Sequence, residues 1–132
     1  MQRVSRLEKV IKKYTGEDYK VYALKYIKDG YAGLTLEDKK IIYIREDHLR
    51  FTPVFWHEMG HIVADRDGQT LEQSEYGAER WALQTQLQFK HSSLYKQSLN
   101  WIKTSWLDIS VHITPSDKAY YIAGQKLVKE FK

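Results

Sequence analysis

The sequence predicts an α+β fold in which a small three-stranded antiparallel sheet packs against a central helix and several further helices. Three observations predict it. Residues 19–45 are dense in aromatic and β-branched side chains and are broken by turn residues. The segments on either side carry apolar residues at helical spacing. Residues 53–63 are apolar on almost every side, yet they enclose His57-Glu58-Met59-Gly60-His61, an HExxH pattern that a buried helix would leave with costly unpaired polar groups unless something common satisfied them.

Length and composition bound the rest. A chain of 132 residues reads as a single domain, 1–132, large enough for a modest core. Its 42% hydrophobic and 29% charged content fits a globular protein rather than a disordered one. No apolar run reaches the length of a membrane span, and Met1 to Arg6 leads into charge rather than a signal-peptide core, so the expected address is the cytoplasm. With no cysteine, any zinc must be held by histidine and carboxylate. The net charge of +4 is spread over the chain and forms no focused basic stripe, which argues against a nucleic-acid binder.

In chain order, Val4, Leu7, Val10 and Ile11 define an amphipathic first helix over about 2–14, ended by Thr15-Gly16. Tyr19 to Ile27, Tyr31 to Leu36 and Lys40 to Arg45 read as three strands, with Asp29-Gly30 as a tight turn between the first two. At least one edge of such a sheet stays open to an extended peptide. Thr52-Pro53 then starts the central helix, Thr52 as its cap and Pro53 at the first helical position. That helix runs to about Asp65–Gly68. Thr70 and Gln73 form a capping-box pattern for a helix over about 71–90. Beyond Ser92-Ser93, Tyr95, Leu99, Ile102 and Trp106 mark another helix, and Thr114-Pro115 with Asp117 starts the last.

On a helix, His57 and His61 share one face a turn apart and can point both imidazoles at one metal ion. Glu58 lies beside that point, where a base for a metal-bound water belongs. A catalytic zinc takes three protein ligands and keeps a fourth position open. The candidates for the third are Asp67, Glu75, Glu79 and His91. Asp67 would need a glycine where this chain has Ala64, and His91 lies some four turns beyond Glu75, too far along the helix. Glu75 remains, on one helix face with Ala78, Glu79 and Ala82; the two alanines allow a close approach to a neighbouring helix. Glu79 is then expected to orient a histidine by accepting its other N–H. Gly60 is expected on the inner face, where a side chain would obstruct packing around the metal. His91 and His112 read as ordinary surface or core histidines. Tyr76, His112, Tyr120 and Tyr121 have the chemistry to stabilise an oxyanion, and spacing selects none of them.

His57-Glu58-Met59-Gly60-His61 followed by Glu75-Tyr76-Gly77-Ala78-Glu79-Arg80-Trp81-Ala82 resembles the HExxH and ExxA(D/N/E)xxA pair of small gluzincins, most of all the ImmA/IrrE-type metallopeptidases. The order of elements is similar too, including an Arg-Phe-Thr entry to the active-site helix, here Arg50-Phe51-Thr52. The resemblance spans about 20–85. It implies a minimal gluzincin-like fold, zinc on His57, His61 and Glu75, and Glu58 as the base. It also implies a cytoplasmic zinc endopeptidase that cleaves a helix-turn-helix, repressor-like regulator. The chain differs from the family pattern in the longer Pro53-Val54-Phe55-Trp56 stretch, in Glu79 where Asp or Asn is commoner, and in Gln84 to Phe89 in place of an apolar Leu-Met-Pro continuation. The alternative is a non-catalytic, zinc-containing module that captures a regulatory protein without cutting it.

Overall fold

The computed structural model describes residues 2–65, 67–111 and 114–131. Its elements run β1 (Gln2–Arg3), α1 (Ser5–Thr15), β2 (Lys20–Leu24), β3 (Gly33–Leu36), β4 (Ile41–Arg45), α2 (Thr52–Ala64), α3 (Leu71–Gln88), α4 (Ser92–Trp101) and α5 (Pro115–Glu130). The class is α+β, but the sheet is four-stranded and mixed, in the order β1-β2-β4-β3. The expected all-antiparallel trio is therefore corrected. β3 and β4 form an antiparallel hairpin, whereas β2 pairs with β4 in parallel, Val21 opposite Ile42 and Ala23 opposite Ile44. Burial explains the arrangement. Val21, Ala23, Ile42 and Ile44 are all buried, so β2 and β4 take the two inner positions and β1 and β3 the edges. Asp29-Gly30 accordingly is no hairpin turn; it lies in a 3-10 turn within the crossover from β2 to β3.

Of the three helix starts that the sequence assigns a cap, two are capped as expected. Thr70 and Gln73 close a capping box at α3, as do Thr114 and Asp117 at α5. At α2 Thr52 is already helical and no side chain caps the start, so the expected Thr52 cap is not made. α2 is buried continuously from Pro53 to His61, with Val54, Phe55, Trp56 and Met59 in a core shared with α1 and the sheet. A second core joins α3, α4 and α5 through Leu83, Leu99, Ile102, Trp106 and Leu127. Between α4 and α5 the chain makes a π-helical turn, Ile102–Trp106. Among the described residues, no helix is long and apolar enough to cross a membrane.

Candidate metal centre

The closeness of α2 and α3 builds the site. A Cβ on Gly60 would stand 2.1 Å from the carbonyl oxygen of Ala78, so only glycine lets α2 lie against α3 at this point. The obstruction expected at Gly60 is real, but what a side chain would meet is the α3 backbone. This contact sets the two histidines of α2 opposite the glutamates of α3. His57 Nε2 is 3.1 Å from His61 Nε2 and 2.9 Å from Glu75 Oε2, and His61 Nε2 is 3.1 Å from Glu75 Oε1. Ligand atoms around a tetrahedral zinc, with bonds near 2.0–2.1 Å, lie about 3.3 Å apart. The spacing is that of a slightly contracted three-point metal cradle.

The other ring nitrogens are occupied. His57 Nδ1 bonds Glu79 Oε1 at 3.1 Å, and His61 Nδ1 bonds Asp65 Oδ1 at 3.0 Å. With both carboxylates accepting an N–H, each Nε2 turns a lone pair toward the same point as Glu75. Two imidazole lone pairs and a carboxylate at about 3 Å repel one another unless a cation or a proton sits among them. The group of His57, His61 and Glu75 is therefore able to hold a metal ion. Burial pushes the His57 imidazole toward neutrality, but the charge and hydrogen bond of Glu75, with Glu79, outweigh it and raise its pKa to about 9. Burial likewise works against charge on His61, and its bonds to Asp65 and Glu75 carry its pKa well above the usual value. Burial raises the Glu75 pKa, and the two imidazoles reverse this and hold it far below the carboxylate range. Glu79 is fully buried, and burial raises its carboxyl despite the His57 bond.

Glu58 is buried and stands beside the cradle. Thr35 of β3 donates to its Oε1 at 2.8 Å and contacts its backbone oxygen at 3.3 Å. Gly33, two residues earlier on the same strand face, leaves the room Glu58 occupies, since a Cβ there would lie 2.9 Å from Glu58 Cγ. Glu58, His61 and Glu75 open onto a cleft of about 200 Å³ whose walls include Thr35 and Tyr120. Of the four residues considered for an oxyanion, Tyr120 reaches this cleft. Burial, then the charges of Glu75 and Glu58, hold its phenol well above the ordinary value, so it stays a donor. Tyr76 instead bonds Glu130, Tyr121 does not line the cleft, and His112 lies outside the described residues.

The rejected ligands stay apart from the centre. Asp67 is exposed in the turn after α2, and His91 bonds the Tyr14 hydroxyl at 2.9 Å beside Trp56. Two contributors escaped the sequence reading. Asp65 follows His61 by four residues and caps the end of α2, with Ser74 donating to it at 2.7 Å; its one signal is that spacing. Thr35 carries no sequence signal, because its role depends on which face of β3 meets α2. Comparisons of the chain with protein-family models, with curated proteins and with solved structures find no match.

Proposed function

We propose that the protein is a cytoplasmic zinc endopeptidase of the ImmA/IrrE kind, acting on an extended segment of a repressor-like regulator. The observation that carries the reading is the convergence of His57, His61 and Glu75 on one point, with the Glu58 carboxylate beside it at the floor of a cleft. A structural zinc would need a fourth protein ligand, and no further described His, Asp or Glu joins the three.

When bound, zinc supplies Lewis-acid polarisation and brings the pKa of water near neutrality. The remaining work falls to this chain's own groups. Glu58 takes the proton of the attacking water and passes it to the leaving amine. Thr35 fixes the Glu58 oxygen it bonds, which leaves Oε2 for that transfer. Tyr120 donates to the carbonyl oxygen as negative charge develops on it.

The sheet edge suits the substrate. Arg45 N–H bonds Ala32 carbonyl at 2.9 Å, so in the β3–β4 hairpin Ala32, Leu34 and Leu36 turn their backbone groups toward β4. Gly33 and Thr35 then present theirs on the free edge, directly above Glu58, where an extended peptide can pair. The deciding experiment incubates purified protein with candidate repressor-like regulators, with and without a chelator. Chelator-sensitive fragments from the native protein, and none from Glu58→Gln with full zinc content, support the reading. Capture of a regulator without cleavage, at one zinc per chain, would replace it with a binding module.

A further inference from the structure

A larger cavity, about 670 Å³, adjoins the metal cleft and shares Tyr31, Ser116 and Tyr120 with it. Its walls are aromatic because of the π-helical turn. Residues five apart on an α-helix diverge by about 140°, so Trp101 and Trp106 would face apart. The wider turn at Ile102–Trp106 brings their rings to 5.4 Å, at 76°, and sets both edge-on against His57. Trp106 is buried and half-buried Trp101 stands beside it. π-helical turns recur at functional sites. The Tyr31 hydroxyl contacts Ser116 Oγ at 3.2 Å where the cavity meets the cleft, joining the β3 side to α5.

The charged groups lining this cavity are both acidic, Asp29 and Asp117, in a chain of net charge +4. Asp117 is fixed by the capping box, its Oδ2 accepting from Thr114 N and Oγ1. Asp29 is an exposed residue of the lining, with no hydrogen bond or ion pair to another described residue. Its cationic neighbour is already taken: Arg45 donates to the Gly30 carbonyl at 3.0 Å but pairs through two nitrogens with Asp47, at 2.7 and 3.1 Å. Aromatic faces beside an unpaired carboxylate recognise a planar cation, which stacks on the rings while its N–H groups reach the acid.

Resting on the peptidase reading, we infer that this aromatic pocket receives an arginine side chain of the peptide, with Asp29 as the residue that selects its charge. A flat apolar side chain would fill the same walls but draw nothing from the Asp29 charge.

The test separates the pocket from the chemistry. Zinc-loaded Glu58→Gln protein is titrated with short peptides carrying arginine, its neutral isostere citrulline, or phenylalanine at each position in turn, with tryptophan fluorescence as the readout. At one position the arginine peptide is expected to bind about tenfold tighter than its citrulline counterpart. Asp29→Asn should erase that difference and leave phenylalanine binding unchanged. Asn tolerates the left-handed backbone of this position (φ 62°), so the variant alters charge without straining the chain. Failure of every peptide to bind, equal binding of arginine and citrulline, tighter phenylalanine binding, or an arginine preference that survives Asp29→Asn overturns the inference. Arginine-selective binding by a wild-type protein that cuts nothing would overturn the peptidase reading and leave the pocket standing.

Discussion

The Thr35 hydroxyl donates a 2.8 Å hydrogen bond to Glu58 Oε1, tying the edge strand of the sheet to the carboxylate beside the metal cradle. On the proposed peptidase reading, one strand would present backbone to a peptide and orient the base beneath it. Thr35→Val keeps the shape and removes the donor. Its kcat is expected to fall about tenfold, the cost of one bond to a charged group, with zinc content and fold unchanged. Thr35→Ser should recover most of the loss. Steady-state kinetics on the three proteins checks this, and equal rates for the Val and Ser variants would deny Thr35 an orienting role.

If the cradle holds zinc as proposed, its ligands and their supports differ in what their loss does to the metal. Glu75 offers both oxygens to the two Nε2 atoms, whereas Glu79 and Asp65 act through the far side of each ring. Glu75→Ala should abolish stoichiometric zinc. Asp65→Ala and Glu79→Ala should weaken affinity by about 10–100-fold, the usual effect of removing a group that orients a metal-bound histidine. Competition with a chromogenic chelator measures all three. A Glu79 variant weaker than the Glu75 variant would invert the ligand assignment.

The parts of this site that the sequence reveals are those set by local geometry. His57 and His61 are visible because a helix stacks i and i+4, and Glu75 because Ala78 and Ala82 mark the face it shares. Asp65 is hidden because it lies just past the helix end, with ψ at 137°, where helical periodicity no longer speaks. The parallel pairing of β2 with β4 is hidden for another reason. Three apolar strands look alike in sequence, and the two that lie side by side inside the sheet are chosen by burial that only the assembled layers define. Trp106 is legible on the stripe with Tyr95, Leu99 and Ile102, but its closeness to Trp101 is hidden, because residues five apart diverge on an α-helix and the π-helical turn brings these two together.

Metal and proton compete for the same nitrogen. In the metal-free protein the His57 pKa is raised from 6.5 to about 9. A raised folded-state pKa stabilises the fold fully below the unfolded value, and that contribution is lost as pH rises through the folded one. The metal-free fold should therefore lose stability from about pH 6.5 to about pH 9. Zinc needs the neutral ring, so its binding must release the proton and its affinity should climb over the same interval. Thermal denaturation with chelator and with zinc, at several pH values, reads both trends. A zinc-induced rise in Tm that does not grow with pH would show that no such proton is displaced.

Two glycines make opposite predictions, and together they test whether the α2–α3 contact holds the cradle. Gly60→Ala places a methyl 2.1 Å from the Ala78 carbonyl oxygen, a backbone atom that cannot swing aside. The helices must part, which costs on the order of 3 kcal/mol or more. Since His57 and His61 ride on α2 and Glu75 on α3, the variant should lose zinc along with stability. Gly77 lies on α3 too, but a Cβ there meets only the Ala64 methyl at an ordinary 3.6 Å. Gly77→Ala removes a flexible residue from a helix interior and should stabilise the protein by about 0.5–1 kcal/mol, with zinc affinity unchanged. Denaturant melts and zinc titrations of both variants decide the point. A Gly60→Ala protein as stable and zinc-competent as the wild type would mean that the close approach of the two helices does not set the positions of the ligands.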